Sequence, residues 1–368
     1  MIVKTKIVII ALFLSTLTSC VAAEKVNKPM VSDIKSDEFV VFFRTSGWMS
    51  DDNNYWHIPI HGWIYEPEDS RVRKAMIEKT LSLKFGLDTS KANEANFDRR
   101  VNLLIADNER NKRIVVRIGA QNYVLPPSTE NGHFQQVIRI PASEISQLSH
   151  NGRITFSAVV KPGDKRSFSG EVRLVAPSGL SVISDIDDTI KITEVIRLEK
   201  LLEHTFYNDF AAAPGMALWY QSWGDETMLH LVSSSPWQLY SPLLEFVQQA
   251  GFPWATFSLK SIRFRDETLL NLFKKGTETK PAQIEALLKT YPKRKFILIG
   301  DSGEQDPEVY AGIARKYSTQ IVKIYIRNVT NASPDDERFK LVFTSIPNGR
   351  WQLFTDPATL KLTDFVRQ

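Results

Sequence analysis

"SVISDIDDTIKIT", residues 181–193, sets an apolar run against a cluster of acid. Val182 and Ile183 have the β-branched character of a buried strand. Asp185, Asp187 and Asp188 then fall within four residues, and Thr189 follows. Carboxylates so close at the end of an apolar run repel one another and resist burial. They become reasonable once a cation is shared among them. The same grammar continues downstream, where strand-like runs alternate with amphipathic helical ones: "MLHLVSSS", "PLLEFVQQAG", "TFSLK", "PAQIEALLKTY", "KFILIGD", "PEVYAGIARKYS" and "QIVKIYIRNV". That alternation predicts an α/β domain over 179–368, Rossmann-like, with a parallel sheet and helices on both faces.

Before the joint "APSG", 176–179, the pattern is different. "VVFFRTSGW" and "WHIPIHGWIYEP" alternate, with Trp56, Ile58, Ile60 and Ile64 on one face and His57 and His61 on the other. Those histidines read as surface or packed residues. A helix is expected over 69–85, with Val72, Met76, Thr80 and Leu83 at helical spacing and Gly86 as its stop. "RRVNLLIAD", "RIVVRIG", "FQQVIRI", "RITFSAVV" and "FSGEVRLVA" read as short strands. Residues 37–178 are thus expected to form a β-rich, sandwich-like domain.

The chain has 368 residues, 43% hydrophobic and 24% charged, which excludes disordered and collagen-like classes. A net charge of +4 gives no argument for nucleic acid. "MIVKTKIVIIALFLSTLTSCVAAEK" carries Lys4 and Lys6 before an apolar run, Ile7 to Leu14, that is short for a membrane span. Leu17-Thr18-Ser19-Cys20 resembles the bacterial lipobox, which lipidates the cysteine. Residues 1–19 are read as a lipoprotein-type signal peptide and 20–36 as a tether. The expected location is the cell envelope, anchored through Cys20. An ordinary signal cleaved after Ala23, giving a secreted or periplasmic protein, is the alternative. Cys20 is the only cysteine, so a disulfide within the chain and a cysteine-based zinc site are excluded.

Ligands of open parallel sheets bind beyond the carboxyl ends of the strands. Asp185, Asp187 and Thr189 follow "SVIS", Ser233 and Ser234 follow "LHLV", and Asp301 follows "FILIG" with Asp306 five residues on. Lys280 opens the helix that leads into the Asp301 strand. Together these residue types fit magnesium-dependent phosphoryl transfer. Asp185 and Asp301 would hold Mg²⁺, Lys280 would offer a point charge, and Ser233 a hydrogen bond. Asp187, expected on the same side of an extended backbone as Asp185, would protonate the leaving alcohol and later deprotonate water. Asp188 would cap the turn with Thr189.

"DIDDT", "VSSS", Lys280 and "GDSGEQD" resemble the four motifs of haloacid dehalogenase superfamily phosphatases. More narrowly, "GLSVISDIDDTIKIT", "LHLVSSSPWQLYSPLLEF", "GTETKPAQIEALLKTYPKRKFILIGDSGEQDPEVY" and "IYIRNVT" are similar to the catalytic domain of the actin-patch-associated phosphatidate phosphatases, relatives of the lipin catalytic region with bacterial homologues. The resemblance implies Mg²⁺-dependent hydrolysis of phosphatidate to diacylglycerol. It implies Asp185 as nucleophile, Asp187 as general acid/base, Ser233 as the second-motif hydroxyl and Lys280 as the third-motif lysine. Asp301 would complete the metal site with Asp185 and the Asp187 main-chain carbonyl. Asp306 would orient Lys280 or a metal water. Thr189, Ser233, Ser234 and Lys280 form the expected phosphate-binding set, and Ser234 can exchange roles with Ser233.

About 45 residues separate Thr189 from Ser233, so any cap is small and mostly helical and leaves the site open. Phe206, Tyr207, Phe210, Trp219, Tyr220 and Trp223 in this interval suit either a membrane–water boundary or cap packing. Lys260, Arg263 and Arg265 suit either a phospholipid headgroup or a solvated loop. The expected partner is a phospholipid at a membrane surface, with no nucleic acid; no residue names a protein partner. Other phosphomonoesters, such as diacylglycerol pyrophosphate or a phosphoprotein, and a non-catalytic phospholipid-binding module are the alternative functions.

Overall fold

The computed structural model describes residues 30–87, 93–262, 279–347 and 349–360. The expected signal peptide 1–19, Cys20, most of the tether, Arg263 and Arg265 lie outside the described residues. No described helix is long and apolar enough to cross a membrane.

Ten strands form one hydrogen-bonded sheet. They are β1 (Phe39–Phe42), β2 (Thr45–Met49), β3 (Tyr55–Glu66), β4 (Asp107–Asn108), β5 (Val115–Ile118), β6 (Gln121–Val124), β7 (His133–Pro141), β8 (Ser149–His150), β9 (Arg153–Ala158) and β10 (Ser169–Val175). The expected β-rich, sandwich-like domain is built from this one hydrogen-bonded sheet, which curls so that Phe42 of β1 meets Phe156 of β9 with ring centroids 4.9 Å apart. Its organiser is β3, which at 12 residues is long enough to pair with β1 and β2 on one edge and β7 on the other. β2 and β10 run parallel, a pairing that a chain of hairpins does not contain. Period-two alternation on β3 buries Ile58, Ile60 and Ile64 in the core, with Trp56 packed against it.

Two expectations for this half are corrected. Helix α1 (Arg71–Phe85) starts on the Ser70 cap, whose hydroxyl accepts from Arg73 N, and ends at Gly86 with φ +66°. Its inward residues are Ile77 and Leu81, whereas Val72, Met76 and Leu83 face outward. "RRVNLLIAD" is not a strand but most of helix α2 (Glu94–Ile105), capped by Asn93. Phe97, Arg100, Val101, Leu104 and Ile105 are buried at helical spacing. Both errors have one cause: the buried stripe is chosen by the neighbours, and α1 and α2 pack on each other and on Leu202 and Phe206. A short helix α3 (Ala142–Leu148) follows β7.

The second sheet comprises β11 (Leu180–Ser184), β12 (Met228–Pro236), β13 (Ala255–Lys260), β14 (Lys295–Asp301), β15 (Ile321–Arg327) and β16 (Trp351–Phe354). All neighbours are parallel, in the order β13-β12-β11-β14-β15-β16. The chain steps outward from β11, then returns to place β14 on its other side. That reversal is a switch point, where a crevice opens beyond the strand ends. Asp185 and Asp301 stand at its two lips.

The helices are α4 (Leu198–Phe206), α5 (Met216–Gln221), α6 (Tyr240–Gln249), α7 (Thr279–Thr290), α8 (Asp306–Lys316) and α9 (Glu337–Phe343). One sheet face packs Val182, Ile297 and Ile299 against Leu243, Phe246 and Val247 of α6. The other packs Ile183 and Leu298 against Ile284 and Leu288 of α7 and Tyr310 of α8. α4 and α5 occupy the interval expected for a cap. Its aromatics serve packing: Phe206, Tyr207, Trp219, Tyr220 and Trp223 are buried, and Phe210 is packed against the core. They are not available to a membrane surface.

The joint 176–179 is fastened rather than loose. Buried Arg294, just before β14, donates to the carbonyls of Ala176 (2.9 Å), Ser178 (2.5 Å) and Leu180 and to Ser181 Oγ (2.8 Å). Removing the guanidinium takes this donor from all four acceptors. Arg294→Met is expected to destabilise the chain by about 2–4 kcal/mol. Urea unfolding should show a lower midpoint at unchanged slope; an unchanged midpoint would refute the role of Arg294.

Candidate active site

Lys280, in the first turn of α7, is 4% exposed and reaches into the crevice. Its Nζ lies 2.9 Å from Asp185 Oδ1, 2.5 Å from Asp306 Oδ1 and 3.2 Å from Glu304 Oε2. Asp306 is the first residue of α8, where a carboxylate suits the helix dipole. Its Oδ2 accepts from Asp301 N at 3.2 Å, tying α8 to the end of β14. This approach requires Gly300, because a Cβ there would lie 2.2 Å from Asp306 Oδ2. Asp301 Oδ1 accepts from Gly303 N (2.6 Å) and Glu304 N (3.0 Å).

Carboxylate oxygens of Asp185, Asp301, Glu304 and Asp306 all lie within 4.8 Å of one another. Burial pushes Asp185 well above the ordinary carboxylate range; Lys280 opposes this, while Asp306, Glu304 and Asp301 add to it. Burial likewise raises Asp301, helped by Asp306 and Glu304. Burial opposes the charge on Lys280, but Asp185, Asp306 and Glu304 outweigh it and keep the ammonium protonated. One ammonium cannot compensate four carboxylates, so Lys280 remains charged and the acids share the deficit. Among the described residues, Asp185 Oδ2 and Asp301 Oδ2 are buried without a hydrogen-bond partner. Two such oxygens in an all-oxygen cluster fit a hard divalent cation.

Asp187 belongs to a separate cluster. β11 ends at Ser184, and Asp187 bridges to Lys191, so it does not continue an extended strand beside Asp185. Its Oδ1 lies 2.7 Å from Lys191 Nζ and accepts from Thr193 Oγ1 at 2.8 Å. Its Oδ2 accepts from Ser233 Oγ (3.3 Å) and Ser235 Oγ (3.2 Å). Burial alone would raise Asp187; Lys191 and these hydroxyls reverse the shift and hold it below the usual range. Ser233 and Ser235 sit two apart on β12, so alternation turns Ser234 to the other side. Ser235, rather than Ser234, is the second hydroxyl at this carboxylate.

Asp188 does not cap the turn with Thr189. With φ +52°, it accepts from Thr193 N and Glu194 N (2.8 Å each) and Val195 N (2.7 Å). Thr189 is fully buried and its Oγ1 has no hydrogen-bond partner among the described residues. Tyr220 OH donates to Ser184 Oγ (2.7 Å), which donates to the Asp185 carbonyl (2.6 Å). Asp185, Asp301, Ser233 and Lys280 are all buried. The sequence assigned no role to Lys191, Thr193, Ser235 or Glu304. Signals existed: Lys191 lies in the opening stretch, Glu304 in "GDSGEQD", and strand alternation pairs Ser235 with Ser233.

A carboxyl with a raised folded-state pKa gives its full stabilisation below its unfolded value and loses it as pH rises through the folded one. In EDTA, Tm is therefore expected to fall as pH climbs above the ordinary carboxylate range, following Asp185 and Asp301. Millimolar Mg²⁺ should restore Tm by mass action. Identical melting curves with and without the cation would contradict a divalent site.

Residues 180–328 match the family model of the phosphatidate phosphatase APP1 catalytic domain. Phosphatidate phosphatase APP1 of Saccharomyces cerevisiae is 36% identical over 166 residues, which cover 44% of this chain and 28% of that protein. An uncharacterised protein of Schizosaccharomyces pombe is 30% identical over 217 residues, 54% of this chain and 35% of that one. The chain thus spans about a third of the length of the curated relatives it matches. A solved β-glucuronidase of Parabacteroides merdae aligns at 8% identity over 79% of this chain and 34% of that chain, with a TM-score of 0.26, too slight a likeness to carry an argument. The matched segment opens with β11, closes one residue after β15, and contains every member of both carboxylate clusters. Residues 180–328 are thus similar in sequence to the phosphatidate phosphatase APP1 catalytic domain.

Proposed function

We propose that the protein is a Mg²⁺-dependent phosphatidate phosphatase. On this reading, 179–368 is a haloacid dehalogenase-like catalytic domain following a β-rich domain, and hydrolysis passes through an aspartyl-phosphate. The observation that carries it is Asp185 at the switch point, beside the Lys280 ammonium and the Asp301 carboxylate. The family match names the lipid substrate of a relative and supports the same class here.

Asp185 attacks phosphorus, the ester P–O bond breaks, and an acyl phosphate forms on Asp185. Lys280, oriented by Asp306, neutralises phosphoryl charge, and Ser233 and Thr189 complete the phosphate-binding set. Bound Mg²⁺, held by Asp185, Asp301 and the Asp187 main-chain carbonyl, would supply further charge neutralisation. The arriving phosphate raises the proton affinity of Asp187, which takes up a proton from solvent and then passes it to the departing alkoxide. Lys191 and the surrounding hydroxyls stabilise the Asp187 carboxylate that subsequently takes a proton from water. Attack of that water releases inorganic phosphate and restores Asp185.

Phosphate release from phosphatidate, with a panel including diacylglycerol pyrophosphate and a phosphoprotein, tests this reading in Mg²⁺ and in EDTA. Asp185→Asn is expected to lower turnover by roughly a thousand-fold or more while leaving the melting curve cooperative. Near-wild-type turnover would reject Asp185 as nucleophile, and preference for another phosphomonoester would reject phosphatidate.

Envelope anchoring through Cys20 belongs to the same proposal. Cys20→Ala is expected to abolish labelling with a radioactive fatty acid and release the protein from membranes. An unchanged membrane fraction would reject the anchor.

A further inference from the structure

The segment flanking the acidic cluster exposes two apolar side chains, Ile196 near Gly303 and Leu198 two residues on. Ile196 is 59% and Leu198 41% exposed. A Cβ built on Gly303 would lie 3.0 Å from Asp301 Oδ1, 3.1 Å from Ile196 Cγ1 and 3.2 Å from Val329 Cγ2. Gly303 also donates its N–H to Asp301. With no side chain of its own, this glycine lets Ile196 and Val329 border the carboxylate directly.

A single exposed apolar residue needs no explanation. These differ because the segment that bears them is held in place. The Asp188 carboxylate accepts three successive backbone N–H groups, from Thr193, Glu194 and Val195. Glu194 adopts φ +57°, and its carboxylate pairs with Arg197 and lies 3.4 Å from His204 Nε2. The Asp that fixes this segment is also the neighbour of Asp187. The fold therefore positions an apolar edge relative to the reacting carboxylates.

A phosphate beside Asp185 and Lys280 must extend its ester arm across the crevice rim. A sugar or nucleoside arm gains little from an isoleucine and a leucine, whereas an acyl chain loses contact with water there. We propose that Ile196 and Leu198 form an apolar rim that engages the acyl region of a lipid phosphate presented by a bilayer. They would determine specificity without touching the reacting atoms. This inference rests on the phosphatidate reading and deepens it.

The test compares wild type with the Ile196→Ser/Leu198→Ser double variant of the full chain, in Mg²⁺, on two substrates. One is dioleoyl phosphatidate in phosphatidylcholine vesicles; the other is soluble glycerol 3-phosphate, whose polar arm gains nothing from the rim. Vesicle turnover is expected to fall roughly ten-fold or more, with the soluble ester unaffected. Ile196→Leu/Leu198→Ile, which keeps the rim apolar, should retain vesicle turnover. Equal vesicle rates for wild type and the serine variant would overturn the rim, as would an equal fall on both substrates, which marks a structural role. A wild type that cleaves the soluble ester but not the vesicle lipid would instead overturn the phosphatidate reading beneath it. A wild type inactive on both overturns both readings.

Discussion

The structure around the crevice depends on one buried cation. Lys280 has left water almost completely, and stripping an ammonium of its hydration costs several kcal/mol. Asp185, Glu304 and Asp306 offset that cost from three places: just past β11, the loop after β14, and the start of α8. Four elements must therefore meet within hydrogen-bond reach before the lysine is compensated. Gly300 permits the closest of these approaches, because any side chain there would collide with Asp306. The surplus of carboxylate over ammonium makes the cluster fit a divalent cation.

The carboxylates of "DIDD" diverge because their surroundings do. Asp185 shares space with other acids and is raised. Asp187 faces Lys191 and three hydroxyls and is lowered. Asp188 meets backbone N–H groups and holds a loop. Opposed environments around nearby titratable groups are how a site separates roles among identical side chains. A few ångströms of backbone direction, rather than residue type, makes the difference.

The β-rich part contributes to the same architecture. Phe43 packs on Trp237, with ring centroids 4.2 Å apart, and Tyr240 OH accepts from Arg44 N at 2.9 Å. His61 and His133 sit 3.0 Å apart against this seam, and burial holds them down to about 3 and about 4, so both are neutral near pH 7. The packed reading of His61 is thus the one realised. α1 and α2 complete a core with Leu202 and Phe206 of α4, so the interval between β11 and β12 is built partly from residues far earlier in the chain. Trp237 follows Ser235 by two residues, which brings the seam close to the Asp187 cluster.

Sequence alone determined what depends on local order. The alternation of apolar strands and amphipathic helices specified the parallel sheet, and the placement of acid after "SVIS" and "FILIG" located its rim. Such features need only the periods of strand and helix and the high cost of burying charge. Tertiary structure decided what depends on distant partners. Helix α2 looks like a strand until Leu202 and Phe206 lie against it, and the outward face of α1 looks apolar enough to be the inward one. Glu304 and Lys191 gain their places only when the chain ends of β11, β12 and β14 converge. An ion pair or a buried stripe is a relation between residues far apart in sequence, and only folding brings them to within a few ångströms.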